Sequence, residues 1–413
     1  MRILYFHQHF KTPAQAGGIR SYEMAQRLIE RGHHVTMVCG VVAKLDLAFT
    51  SKKGVYRGDV NGVDVIQINL PYSNKDGLVR RSITFLKFAF KGIRIAMRED
   101  YDLLFATSTP LTAGIPGIIA KWLRKKKFVF EVRDLWPELP RALGMKNPFA
   151  LWGMSLLERL SYRNADACIG LSPGICDGIA KRSQKNKRIE MIPNGCDLDI
   201  FMPGNRKELS LPGIRSTDTV AIFTGTHGVA NGLDAVLNAA VELKKIGRDD
   251  IILVFIGDGK RKRFLQKRVE AENLSNCRFF DPVPKVELSE ILCNADIGIM
   301  ALANIPAFYY GTSPNKFFDY ISAGLPVLNN YPGWLAGMIE EHNCGLVVPP
   351  DNPIAFAKAL IELADSFDKR KKYGSNARKL AETEFSRNKL TNKFVNLVEN
   401  IGGGVVVKDL FAE

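Results

Sequence analysis

The sequence predicts an α/β protein of two doubly wound parallel sheets, Rossmann-like domains that face each other across a cleft. Three observations carry the prediction. Short apolar runs of strand length alternate with segments of helical spacing along nearly the whole chain. The alternation comes in two series, separated by the turn-rich stretches Pro193-Asn194-Gly195-Cys196-Asp197 and Pro203-Gly204. The chain has 413 residues, whereas domains typically run to about 100–200 residues, so two are expected.

In the first series, residues 3–6 form a buried-strand pattern, 17–30 a helical one and 35–39 a strand. Further strand candidates lie at 63–68, 103–106, 128–132, 167–170 and 190–192. The second series supplies 220–223, 251–256, 277–280, 297–300, 326–328 and 345–347. Continuous apolar runs suit strands covered by helices on both faces, the mark of a parallel sheet. Residues 387–401 have helical spacing, and Gly402-Gly403-Gly404 ends it. The expected division is 1–198, 199–385, and a terminal helix and tail at 386–413.

Composition narrows the function. Hydrophobic residues at 46% and charged residues at 24% fit a globular protein. The opening apolar run is too short for a secretory signal, and no stretch approaches the ~18 apolar residues of a membrane span. The chain is therefore expected in the cytoplasm, with a peripheral place on the inner face of the cytoplasmic membrane left open. Cysteines stand singly at 39, 168, 176, 196, 277, 293 and 344. An odd number without a C-x-x-C pair suits neither a disulfide framework nor a zinc site. The histidines have no H-E-x-x-H spacing, so no metal is expected. The net charge of +14 attracts polyanions, whether nucleic acid, anionic lipid or phosphorylated substrate.

Five segments can carry chemistry. Gly17-Gly18 precedes a helical pattern, and Gly225 with Gly228 follows the strand at 220–223. Glycine lets backbone approach a phosphate, although each loop alone is equally a simple turn. In Ser313-Pro314-Asn315-Lys316-Phe317-Phe318-Asp319, Pro314 suits a first helical turn. Lys316 there opposes the helix dipole unless it meets an anion. Asp319 lies on the same face, either as a ribose ligand or as an ordinary i,i+3 partner of Lys316. Arg133-Asp134 sits in a charged loop after the strand at 128–132, as a site pair or a structural ion pair. Residues 80–98 carry Arg80 and Arg81, then Lys87, Lys91, Arg94 and Arg98 along one stripe beside apolar residues. That pattern fits anionic lipid or a solvated face equally.

Several of these segments together resemble the family-4 retaining glycosyltransferases of the GT-B fold, and within them the WbuB-like bacterial O-antigen group. The likeness rests on the opening Ile3-Leu4-Tyr5-Phe6-His7-Gln8-His9-Phe10, on Gly17-Gly18-Ile19-Arg20-Ser21-Tyr22-Glu23, and on Arg133-Asp134-Leu135-Trp136-Pro137-Glu138. It continues in Ile192-Pro193-Asn194-Gly195-Cys196-Asp197, Phe255-Ile256-Gly257-Asp258-Gly259 and Ser313 through Val327. The resemblance implies that Gly17 and Gly18 approach a phosphate and that Ser313, Pro314, Asn315 and Lys316 meet the donor diphosphate. Asp319 takes the place of the acid that holds the ribose, and Val283 lines the base pocket. Arg133-Asp134 takes the place of a His-Asp pair beside the reacting sugar, and the terminal helix crosses back onto the first domain. Four positions depart from the family pattern, among them Asp319, an aspartate where the second motif glutamate is usual. Gly311 stands where the first motif glutamate is usual, and Thr226 and Asn231 stand where many members carry Arg and Lys. Phosphate charge then falls to Lys316, helped by Arg20, Arg133 or Lys260.

The expected activity is metal-independent, retaining sugar transfer without a cofactor. The implied donor is a UDP-sugar, an N-acetylated deoxyhexosamine such as L-FucNAc or a GlcNAc-like sugar. The implied acceptor is a polyprenyl-diphosphate-linked saccharide of O-antigen, capsule or exopolysaccharide synthesis. Lys316, Arg133 and Asp134 are the expected catalytic groups, with Asp134 orienting or weakly basic. Arg80, Arg81, Lys87, Lys91 and Arg94 are expected to face acceptor or membrane. A nucleotide-sugar epimerase or hydrolase on the same fold is the alternative. Nucleic acid is not an expected partner, because no recognition motif accompanies the charge. Oligomeric state is not legible.

Overall fold

The computed structural model describes residues 1–41, 50–52, 54–73, 76–204 and 211–403. The chain forms two compact units. One comprises Met1–Thr12, Ile19–Pro193 and the chain from Asn388 on; the other comprises Pro13–Gly18 and Asn194–Arg387.

The first unit holds strands β1 (Arg2–Phe6), β2 (His34–Val41), β3 (Thr50–Lys52), β4 (Val55–Val60), β5 (Val63–Pro71), β6 (Leu103–Thr107), β7 (Lys127–Val132), β8 (Ala167–Gly170) and β9 (Arg188–Met191). Their order is β3-β4-β5-β2-β1-β6-β7-β8-β9. From β5 to β9 every pairing is parallel, as the apolar runs predict. The β3–β4 hairpin was not expected, and β4 runs antiparallel to β5. The residues of β4 are half-buried or exposed, so it lacks the continuous apolar run that marks the parallel strands. The first helix is Arg20–Glu30, three residues later than expected, because Gly17 has a φ of 120° that no right-handed helix admits.

The second unit holds β10 (Thr219–Thr224), β11 (Ile251–Ile256), β12 (Cys277–Phe280), β13 (Ile297–Met300), β14 (Val327–Asn329) and β15 (Gly345–Val347), in the order β12-β11-β10-β13-β14-β15. All pairings are parallel. Side chains alternate between two cores, one on each face: Val220 and Ile222 enter one, Ala221 and Phe223 the other. In both sheets the order of strands reverses at one place, between β1 and β6 and between β10 and β13. Loops leaving the carboxyl ends of strands at such a reversal are where this architecture binds ligands.

The terminal helix Arg387–Gly402 buries Phe394, Val395, Leu397 and Val398 in the first unit's core. Phe394 packs edge-on against Phe105 with ring centroids 5.0 Å apart. Glu399 accepts from Arg31 at 3.0 Å and pairs with His33 at 2.9 Å. Residues 404–413 of the predicted tail lie outside the described residues.

Two of the four places where the chain passes between units, at 193–194 and 387–388, run side by side. Cys196 donates its N–H to Phe385 and accepts from that of Arg387. Next to them Arg387 grips Asp197 through Nε at 2.7 Å and Nη2 at 3.1 Å, and Lys285 bonds the same carboxylate. Burial alone would raise the Asp197 pKa, but the Arg387 and Lys285 charges outweigh it and hold the carboxyl well below its usual range.

Two consequences can be measured. Phe394→Ala should lower the first unit's unfolding free energy in urea by about 3–5 kcal/mol, the usual cost of emptying an aromatic core site. Asp197 has a depressed folded-state pKa, so its contribution is complete above the unfolded carboxyl's ~4 and fades as pH falls below it. Asp197→Asn should cost about 3–5 kcal/mol at pH 7, from two stranded cations, with the difference from wild type shrinking toward pH 3.

Candidate active site

In the second unit, two loops lie backbone against backbone. Gly225 follows β10 with φ 123°, and Gly257 follows β11 with φ 151°. A Cβ on Gly257 would fall 1.8 Å from the Gly225 carbonyl oxygen, and one on Gly259 would fall 2.4 Å from that of His227. Only glycine permits such an approach. Lys262 pins the second loop, donating to the carbonyls of Gly257 and Phe280, both at 2.9 Å, and to Asp281 at 2.7 Å. The fully buried His227 ring lies among Phe223, Phe255 and Phe279. Burial and then the Lys262 charge push it down to about 4, so it is neutral at physiological pH.

Lys316 reaches this loop pair from the helix Asn315–Ser322. Pro314 stands one place outside the first turn, in extended conformation at the N-cap, rather than inside the turn as predicted. The Lys316 ammonium lies 3.6 Å from the Phe223 ring centroid and donates to Asn231 Oδ1 at 3.1 Å. Its Cε would be 3.4 Å from a Cβ on Gly225. Asn231 is turned to receive it by donating its own amide to the Thr226 carbonyl at 2.7 Å. Thr226 and Asn231, the positions where the resemblance led to an expectation of Arg and Lys, are thus joined to each other and to Lys316. Burial lowers the Lys316 pKa to about 7.

Asp319 is turned elsewhere. It is 8% exposed and lies 3.5 Å from Lys285, so the i,i+3 pair with Lys316 does not form. Burial raises its pKa against the pull of Lys285. Ser313 accepts from the Asn194 N–H at 3.1 Å through Oγ and from the Asn194 side-chain amide at 2.5 Å through its carbonyl. Asn315 abuts Gly18, where a Cβ would lie 2.6 Å from Nδ2. Val283 is half-buried against the second unit's core, and Lys260 is exposed beyond Gly259.

In the first unit, His7, Gln8 and His9 follow β1, Ser108 and Thr109 follow β6, and Arg133 and Asp134 follow β7. Ser108 Oγ accepts from the Arg133 N–H at 2.8 Å, and Thr109 Oγ1 donates to Asp134 at 3.1 Å. Arg133 Nη1 lies 3.5 Å from His7 Nε2. Burial raises the Asp134 pKa, with Arg133 opposing. Burial pushes His9 down to about 3 and His7 well below its ordinary value, with Arg133 adding to both, so both rings are neutral.

Arg20 does not serve a ligand here. It is 1% exposed and donates to Glu131 at 2.9 and 2.8 Å and to the carbonyls of Pro193 at 2.5 Å and Ile192 at 2.8 Å. The expectation that it meets phosphate is corrected by this buried, saturated pair.

The predicted basic segment divides in two. Arg80 and Lys87 line a groove of about 700 Å³ together with Leu70, Pro71, Val79 and Ile83. Arg81 instead lies over the Tyr72 and Phe85 rings, at 5.7 and 5.9 Å, and Tyr72 contacts the His9 ring at 4.5 Å. Arg94 is exposed and Lys91 half-buried. His227, Lys262, Tyr72 and Phe85 were missed from the sequence, because each acts through neighbours brought from other elements. Only His227 left a signal, as a histidine inside a glycine loop. Among the described residues no three His, Cys, Asp or Glu side chains are grouped to hold a metal ion.

Gly257→Ala should destabilise the second unit by more than about 2 kcal/mol in chemical denaturation, because its neighbour is backbone. Gly18→Ala, which meets only a side-chain end, should cost less than about 1 kcal/mol.

Comparison with known proteins matches the description "Glycosyl transferase 4-like domain" to residues 17–195 and "Glycosyl transferases group 1" to residues 206–380. The chain is 22% identical over 313 residues to a probable glycosyltransferase WbjE of Pseudomonas aeruginosa, covering 73% of this chain and 76% of that one. Sucrose-phosphate synthase from Thermosynechococcus elongatus superposes with a TM-score of 0.79 at 18% identity, over 97% of this chain and 99% of that one. Anabaena Alr3699/HepE in complex with UDP superposes with a TM-score of 0.68 at 14% identity, over 97% and 100%. The two family matches together span most of the chain, and with the two Rossmann-like sheets they establish that it is a glycosyltransferase of the family-4, group 1 type.

Proposed function

We propose that the enzyme transfers a sugar, with retention, from a UDP-sugar to a polyprenyl-diphosphate-linked saccharide in the synthesis of a bacterial surface polysaccharide. The observation that carries this reading is Lys316, a half-buried cation held against the Gly225 loop with no charged partner among the described residues to offset its burial. An ammonium so placed gains most from a ligand that brings negative charge, and a nucleoside diphosphate brings it as the glycosidic bond breaks. The first turn of the helix Asn315–Ser322 adds its dipole in the same sense. HepE, a structural neighbour, is described in complex with UDP, which supports uridine as the nucleotide. The motif likeness to the WbuB-like group supports an N-acetylated deoxyhexosamine as the sugar and O-antigen as the product. In the first unit, Asp134 orients the acceptor hydroxyl beside Arg133, while the departing diphosphate takes up the hydroxyl proton. Arg80, Lys87 and Arg94 give that unit a basic surface suited to a membrane-held acceptor at the inner face of the cytoplasmic membrane.

Transfer from a panel of UDP- and GDP-sugars, with and without lipid extract and EDTA, tests the reading. Lipid-dependent transfer that survives EDTA, falling about 10²–10³-fold in Lys316→Ala, is expected. Donor turnover without lipid would make the enzyme a hydrolase or epimerase instead.

Lys316 also predicts a proton. With its folded pKa near 7 it is mostly neutral at pH 8, and a bound diphosphate restores its charge. UDP binding at pH 8 should take up roughly 0.9 proton, read calorimetrically in two buffers of different ionisation enthalpy, and Lys316→Met should abolish the uptake.

A further inference from the structure

The loop that leaves β7 has two halves. The first carries Arg133 and Asp134, held by Ser108 and Thr109. The second, from Leu135 to Glu138, is fastened to the helices Pro148–Asn164 and Pro173–Arg182. Leu135 lies against Gly178, where a Cβ would come 2.5 Å from Leu135 Cδ1. The Trp136 N–H donates to Glu158 Oε1 at 2.9 Å, and Glu138 pairs with Arg182.

Glu158 is an unusual residue for its place. The outward stripe of its helix is Phe149, Trp152, Leu156, Arg159 and Arg163, at spacings of three and four. Glu158 and Tyr162, one turn apart, take the inner face, and both are fully buried. A buried carboxyl costs free energy unless it is well bonded. Glu158 Oε1 accepts a second bond from the Tyr162 hydroxyl at 2.7 Å, and Oε2 lies 3.3 Å from Arg182 Nε. One guanidinium therefore stands between two carboxylates, those of Glu138 and Glu158. It does not satisfy both, because Arg182 Nη1, Glu138 Oε2 and Glu158 Oε2 have no hydrogen bond among the described residues. Burial pushes the Glu158 carboxyl up to about 7, against the Tyr162 and Trp136 bonds and the Arg159 charge. The ionisable groups that face it are thus Arg159 and Tyr162 from its own helix, and Arg182 and Glu138 from its neighbours. Of the other elements packed on this helix, Lys121 is taken by Asp166 and Glu131 by Arg20.

We infer that Glu158 is a positioning residue for the Arg133–Asp134 pair. Ionised, it grips the Trp136 N–H and shares Arg182, which fixes the loop two residues beyond Asp134; protonated, it accepts more weakly and leaves Arg182 to Glu138. A hydrogen bond to a charged acceptor is roughly twice as strong as one to a neutral acceptor. The loop is then held firmly above neutral pH and loosely below it. The inference deepens the proposed function and rests on it for the role of Asp134.

Two readings on the full-length protein across the neutral pH range test it: tryptophan fluorescence without substrate, and kcat for transfer to lipid extract. Wild-type fluorescence should change with a midpoint near 7. Trp136→Phe and Glu158→Gln should each lose that change. Arg182→Met removes a cation that favours the ionised carboxyl, so it should move the midpoint up. Wild-type kcat should fall as pH drops through the same midpoint. Glu158→Gln should lower kcat at pH 8 by about 10–100-fold with the donor KM unchanged, and its kcat should show no acid limb at that midpoint. A residue that only stabilised the fold would lower activity without moving the pH profile. The inference is overturned if wild-type fluorescence has no transition near 7, if Glu158→Gln keeps the transition, or if its kcat and acid limb match wild type. Should Glu158→Gln fail to fold, an unmoved midpoint in Arg182→Met overturns it. No transfer by wild type from any donor, with fluorescence responding as expected, would count against the proposed function instead.

Discussion

The buried cluster of Asp197, Arg387 and Lys285 is the interaction on which the second unit's site depends. It joins residues 190 apart in sequence, and it lies at the two ends of that unit's long segment, Asn194–Arg387. Lys285 also reaches Asp319, which belongs to the helix Asn315–Ser322. That helix places Lys316 over Phe223 and against Gly225. A buried ion cluster of this kind adds little net stability compared with well-packed apolar residues, but losing one member strands the others. Its effect is to tie these two crossing segments to the helix that carries Lys316.

Around Lys316 the governing constraint is close approach. Gly225, Gly257 and Gly259 let two loops lie with backbone touching backbone, and Lys262 and His227 fill the space beneath them. The floor is therefore rigid and largely apolar, and a cation set on it is desolvated. Lys316 is therefore an anion-seeking group although its neighbours Thr226 and Asn231 carry no charge. Asn231 aligns the lysine without neutralising it.

The first unit solves a related problem differently. Arg20 is used up internally by Glu131 and two carbonyls, fixing the start of its helix to β7 and to residues 192–193. The positive charge left at the strand ends comes from Arg133 and Arg81, set beside imidazoles that burial keeps neutral.

The sequence by itself determined the two parallel sheets, because strands buried on both faces must be apolar throughout and so write continuous runs that survive without context. It singled out Gly225 and Lys316 as candidates, because glycine admits a close backbone approach and a lysine in a first helical turn is costly unless it meets an anion. It did not reveal the β3–β4 hairpin, because β4, half-buried or exposed along its length, has no such run. Only the tertiary structure decided which charges are spent and which are available: Arg20 and Asp319 look like ligands in the chain but face Glu131 and Lys285, while Tyr72, Phe85 and His227 look ordinary and surround candidate sites. The physical reason is that pairing and desolvation depend on neighbours far away in sequence. A residue's type fixes what it can do, and the residues packed around it fix whether it is left free to do it.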